Sequence, residues 1–131
     1  MKVIFLDIDG VLLVGLREFD RKAKQLFLRL IEETGAKVVI SSSWACDGIG
    51  SVLKLFSANG IDLKPLLHKD WTIDQEQERD TGISKWLACH ECAKYVVIDD
   101  IPVAIDNLVR VDQSVGFSDA DYDLAVAILG K

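Results

Sequence analysis

Apolar runs recur along this chain, and three of them stop abruptly at polar side chains. Val3-Ile4-Phe5-Leu6 runs into Asp7 and Asp9, Val38-Val39-Ile40 into Ser41-Ser42-Ser43, and Val96-Val97-Ile98 into Asp99-Asp100. Unbroken β-branched runs of this kind are the pattern of strands buried on both faces, as in parallel sheets. Between them the period changes. Asp20 is placed to cap a helix whose apolar face is Ala23, Phe27, Leu30 and Ile31 and which ends at Gly35. Asp47 is placed to cap a second, with Ile49, Val52, Leu53 and Phe56 on one side and Asn59-Gly60 as its stop. A third, starting at Asp80 or Thr81, carries Ile83, Trp86, Leu87 and His90 on one face, and Ser118-Asp119-Ala120-Asp121 opens a last helix as a capping box.

Weaker segments fill the rest. Val11 to Leu16 reads as a loop or hairpin-like excursion beside the strand-end acids, Ile61 to Leu67 as a short third strand pushed to an edge by Pro65, Trp71 to Asp80 as loop, and Leu108 to Val111 as a fifth strand. Strand and helix alternate throughout. The expected fold is therefore α/β: a doubly wound, Rossmann-like parallel sheet of about five strands with helices on both faces.

Length and charge narrow the class. The chain has 131 residues, half of them hydrophobic, which suits one domain over 1–131 with a real core. The net charge of −6 is spread along the sequence, so nonspecific nucleic-acid binding over a broad basic face is not expected. No apolar run reaches membrane-spanning length and no signal segment leads the first strand, so no membrane partner and a cytoplasmic location are expected. Cys46, Cys89 and Cys92 are an odd set that reads as reduced thiols. The C-x-x-C spacing of Cys89-His90-Glu91-Cys92 lacks the second pair that a structural zinc site needs, so packing is the preferred reading.

The chemistry gathers where the strands end. Asp7 and Asp9 alternate in phase at the carboxyl end of the first strand, Ser41 closes the second, and Asp99-Asp100 close the fourth. In an open parallel sheet these ends form the ligand-binding edge. Acids so close repel unless a cation lies between them, and oxygen-only ligands suit Mg²⁺. Each position also has a plainer reading: Asp-Gly turns, serines that cap, and an exposed Arg79 inside an acidic run.

In these motifs the chain resembles the haloacid dehalogenase superfamily of aspartate-nucleophile phosphotransferases. Asp7-Ile8-Asp9-Gly10-Val11 matches its first motif, Val38-Val39-Ile40-Ser41 its second, and Val96-Val97-Ile98-Asp99-Asp100 its fourth. Ser41-Ser42-Ser43-Trp44, Arg79 with Ile83 and Trp86-Leu87, and Gly116-Phe117-Ser118 look like a compact group of these domains associated with RNA repair proteins. Arg17 and Asp20 resemble a segment of polynucleotide end-phosphatases.

The resemblance implies Asp7 as nucleophile and Asp9 as acid and base. It implies Ser41, with Ser42 beside it, as the phosphate-binding hydroxyls, and Arg79 or Lys85 as the basic residue, Arg79 preferred. Arg17 would add a phosphate contact. Asp7, Asp9, Asp99 and Asp100 would form the Mg²⁺ shell, with Asp100 aligned to the direct ligand and Asp9 contributing its backbone carbonyl. Residues 11 to 19 and 44 to 78 leave no space for a cap domain, which implies an open site for a phosphorylated substrate as large as an RNA or DNA end. A partner subunit could supply a lid.

Two other classes fit less well. A receiver module needs its phosphorylated Asp on the third strand and a Lys closing the fifth; Ile61 to Leu67 does not end in such an Asp, and Asn107 to Val111 has no Lys. A binding module keeping the motifs without turnover, or a phosphoprotein or small-metabolite phosphatase of this fold, differs only by assay.

Overall fold

In the computed structural model, which describes residues 1–15 and 17–131, the three apolar runs become the middle of one parallel sheet. They are β1 (Lys2–Leu6), β2 (Lys37–Ile40) and β4 (Lys94–Asp99). β3 (Leu67–Thr72) and β5 (Leu108–Arg110) flank them, giving the order β3-β2-β1-β4-β5. All pairings are parallel, with Leu6 beside both Ile40 and Ile98. The order reverses between β1 and β4, the switch point at which open α/β sheets bind ligands.

Alternate residues of the buried strands feed two cores. Ile4, Leu6, Val38, Ile40, Val96 and Ile98 face α1 (Arg21–Thr34), α2 (Ile49–Ala58) and α4 (Asp119–Leu129), whose Phe27, Phe56 and Ala125 are fully buried. Val3, Phe5, Val39 and Val97 face α3 (Arg79–Ala88) through Ile83 and Trp86. The Phe5 and Trp86 rings meet edge to face at 5.3 Å, a contact worth about 1 kcal/mol beyond the area it buries. Helices thus cover both faces, and no cap domain is inserted among the described residues.

The local signals account for most helix ends. Asp20 accepts from the Ala23 N–H at 2.9 Å, and Gly35 closes α1 in the left-handed conformation at φ 70°. Ser118 and Asp121 form the expected capping box on α4. Four boundaries differ from the pattern reading. The third strand is Leu67–Thr72, not Ile61 to Leu67, because Pro65 lies inside a 3₁₀ turn at Lys64–Leu66 and Ile61 and Leu63 plug the core instead. Trp71 and Thr72 therefore belong to a strand and not to a loop. Asp47 does not cap α2; it closes a 3₁₀ turn over Ser43–Asp47, and Gly48 takes the cap position without a side-chain bond. α3 begins at Arg79, ahead of Asp80, and ends at Ala88, so His90 lies beyond it, stacked on Trp86 at 3.8 Å.

The segment after Gly10 is a tight turn against the core, and Val11 and Leu12 lie in it. They turn tightly back with their N–H groups on the Ile8 carbonyl and are fully buried, while Leu16 lies outside the described residues. No helix among the described residues is long and apolar enough to cross a membrane.

Candidate functional site

The sheet holds its acids in place by backbone pairing. The Asp7 N–H donates to the Ile98 carbonyl at 3.0 Å, and the Ser41 N–H to the Leu6 carbonyl at 3.0 Å, so Asp7 sits between the ends of β4 and β2. Asp99 closes β4 and Asp100 follows. The three carboxylates of Asp7, Asp99 and Asp100 each bring an oxygen within 4.8 Å of the others, with Asp7 and Asp99 buried.

A single guanidinium faces them. Arg79 Nη1 donates to Asp99 Oδ2 at 2.7 Å and lies 3.5 Å from Asp7 Oδ1. It reaches the site because α3 starts at that residue, which aims the first side chain of the helix at the sheet edge. Three acids against one base leave the site short of positive charge. Burial first, then the Asp99 charge and a hydrogen bond with Asp100, push the Asp7 carboxyl up to about 8. Burial also raises Asp99, partly offset by Arg79. Burial works against the Arg79 charge, but the Asp99 hydrogen bond and the charges of Asp99, Asp7 and Asp100 outweigh it and hold Arg79 protonated.

Two further features mark a place made for a ligand. Ser41 Oγ is the one buried side-chain polar atom among the described residues with no hydrogen-bond partner. Such an atom costs about 1–3 kcal/mol in a closed protein. Gly10 turns at φ +80°, and a Cβ there would collide with the Asp100 carboxylate, so only glycine lets the first loop close over that acid. Ser41, Ser43, Asp74, Glu78 and Arg79 line an open cleft of about 380 Å³ beside the acids.

A divalent cation fits these residues. The donor set is all oxygen, it carries surplus negative charge, and the affinity of hard cations such as Mg²⁺ for carboxylates would relieve the strain that raises Asp7.

The remaining expected residues are dispersed. The Asp9 carboxylate stands apart from the three clustered acids: it is exposed, and the Trp44 indole N–H donates to both its oxygens at 3.2 Å. Ser42 is buried and accepts from the Trp44 backbone N–H at 3.2 Å, a capping role. Lys85 pairs with Asp74 at 2.9 Å on the surface, outside the acid cluster. Arg17 is exposed on the loop before α1. Trp44 carries one mark in the sequence, its place directly after the serines that end β2.

A second group of potential ligands, His68, Asp70 and His90, also converges within 4.8 Å. It is already self-satisfied. His90 bonds Asp70 Oδ2 and the Trp86 carbonyl, both at 2.6 Å, and His68 Nδ1 accepts from the Asp70 N–H at 2.9 Å. Cys92 Sγ bonds the Lys94 carbonyl and Cys89 is exposed, so the C-x-x-C pair does not join this group.

No curated protein and no solved structure matches the chain. A family does, over residues 3–122, which takes in both acid-ended strands, Ser41 and Arg79: the chain belongs to the family described as the HAD domain in Swiss Army Knife RNA repair proteins.

Proposed function

We propose that the protein is a Mg²⁺-dependent phosphomonoesterase that works through an aspartyl-phosphate on Asp7. The observation that carries the reading is the cluster of Asp7, Asp99 and Asp100 against Arg79, next to the partnerless Ser41 hydroxyl. A phosphoryl group is the ligand that brings oxygens to both the hydroxyl and the guanidinium, and HAD domains suggest phosphatase-type chemistry.

Asp7, Asp99 and Asp100 would hold the cation. When bound it supplies charge neutralisation of the phosphoryl oxygens and keeps the nucleophile ionised at neutral pH. Asp7 attacks phosphorus in line; the Asp7–phosphorus bond forms as the bond to the leaving oxygen breaks. Asp9 gives that oxygen its proton and then takes one from the water that attacks the intermediate, releasing phosphate and restoring both acids. Ser41 donates to a phosphoryl oxygen. Arg79 offsets charge on Asp7 and Asp99 as negative charge builds up in the transition state.

Substrate size follows from the open edge. Among the described residues no cap closes over the acids, which leaves room for the phosphate of a large molecule at Asp7, and the RNA-repair association of the family favours a polynucleotide end. The exposed Arg17 is our candidate for an adjacent phosphate. The cleft beside the acids is rimmed by Asp74, Glu76 and Glu78, so any such contact must be local.

The test is hydrolysis of p-nitrophenyl phosphate with and without Mg²⁺, followed by a panel of 3′- and 5′-phosphorylated oligonucleotides, nucleotides and phosphopeptides. Turnover that chelator removes, and that Asp7→Asn lowers by about 10³-fold or more, is the expected result. Turnover retained by Asp7→Asn would overturn the mechanism.

A further inference from the structure

We infer that Trp44 is a positioning residue for Asp9: its indole N–H fixes the carboxylate that delivers the proton to the leaving group. This rests on the phosphatase reading above and adds to it a residue of the second loop acting through one of the first.

The contact is specific. An indole nitrogen is a donor only, so Trp44 can neither give nor accept the transferred proton and must act through the acid it touches. Its single N–H spans Asp9 Oδ1 and Oδ2 at 3.2 Å each, which sets the plane of the carboxylate against the ring and leaves the outer lone pairs open. Among the described residues no other side chain bonds the Asp9 carboxylate. Without Trp44 this exposed acid would rotate freely.

The tryptophan itself is held. Ser42 Oγ accepts from its backbone N–H, it lies in the first turn of the 3₁₀ segment Ser43–Asp47, and its ring packs on the larger core. The backbone of Asp9 is held too, through its bridge to Leu13 and the Gly10 N–H bond to the Leu13 carbonyl at 2.9 Å. Two separately anchored loops thus meet at one three-centre hydrogen bond. A residue placed only for packing would have no need to aim its one polar atom at the acid.

Leaving-group chemistry separates positioning from packing. Nitrophenolate departs without a proton, whereas an alkoxide needs one, so damage to the general acid grows with leaving-group basicity. Wild type, Trp44→Phe and Asp9→Asn are compared for kcat/KM on p-nitrophenyl phosphate, phenyl phosphate and glycerol 2-phosphate in Mg²⁺.

For Trp44→Phe the expected loss is under about threefold on the nitrophenyl ester and about tenfold or more on the glycerol ester. Adding Trp44→Phe to Asp9→Asn should cost little more, because the two act as a unit. A loss of equal size across the series, or no loss, overturns the inference while the phosphatase reading stands. A wild type inactive on all three esters overturns both.

Should Trp44→Phe not fold, the indole Nε1–H resonance of Trp44 in Asp9→Asn decides the matter. A clear shift from wild type supports the contact, and an unchanged resonance overturns it.

Discussion

Two clusters of ligand-type side chains lie on this sheet, and they differ in one respect that matters. Around His68, Asp70 and His90, charges balance and bonds close: the His90 hydrogen bond lowers Asp70, and the Asp70 hydrogen bond raises His90. Around Asp7, Asp99 and Asp100 they do not. Two of three acids are pushed up, one guanidinium serves all three, and a buried hydroxyl nearby has no partner. Proximity alone does not distinguish a site from a structural network. Unbalanced charge and unmet hydrogen bonds do, because folding would have removed them unless a ligand repaid their cost.

The sharpest way to break this contrast is to remove the one base in the unbalanced cluster. Arg79→Ala should lower turnover by about 10²-fold. It should also destabilise the fold by about 3 kcal/mol, because Asp99 keeps a buried charge with no counterion. Arg79→Lys should recover part of both, as read by steady-state kinetics and urea unfolding. No effect on either would mean that Arg79 does not serve the acid cluster.

The next effect is in pH. Asp7 has a raised folded-state value of about 8, so the folded protein binds this proton more tightly than the unfolded chain does. Stability from this group is full below the ordinary carboxylate value and is lost as pH rises from there through about 8. Thermal melts in chelator should therefore fall across that window, Mg²⁺ should flatten the fall, and Asp7→Asn should remove it while raising the melting temperature at pH 8. A melt in chelator that improves toward pH 8 would contradict this.

Smaller effects test the two clusters one atom at a time. Ser41→Ala removes an oxygen that has no partner, so stability should hold or rise by up to about 1–3 kcal/mol while KM for a phosphate ester rises. A large stability loss would show that the hydroxyl was satisfied after all. His90→Gln should leave turnover unchanged. Because the Asp70 hydrogen bond raises His90, the stability it contributes is present below the ordinary imidazole value and is lost as pH rises past the raised one. The variant should thus melt slightly below wild type at pH 5.5 and alike at pH 9; altered turnover would give the balanced cluster a function.

Much of this was legible in the sequence. Residues 3–6, 38–40 and 96–98 are apolar at every position and rich in β-branched side chains, the pattern of strands buried on both faces, and in a parallel sheet the polar residues that end them share one edge. What escaped were effects that depend on contacts across the fold. Pro65 reads equally as an edge-strand residue or as the start of a turn, and the core's demand for Ile61 and Leu63 decided it. Asp9 alternates in phase with Asp7, yet the chain leaves the strand after Leu6, and the two carboxylates part: one joins Asp99 and Asp100, the other meets Trp44. The Trp44 contact joins residues 35 apart. Spacing along the chain carries no trace of such a pair.

One titration tests the central claim that Asp7, Asp99 and Asp100 share a divalent cation. Mn²⁺ standing in for Mg²⁺ is titrated calorimetrically at pH 7 in buffers of different ionisation enthalpy, with the wild type and with Asp99→Asn/Asp100→Asn. One ion per chain in the wild type, with release of about one proton as Asp7 ionises, and no comparable binding in the double variant is the predicted result. Binding that survives the double variant, or none in the wild type, would contradict it.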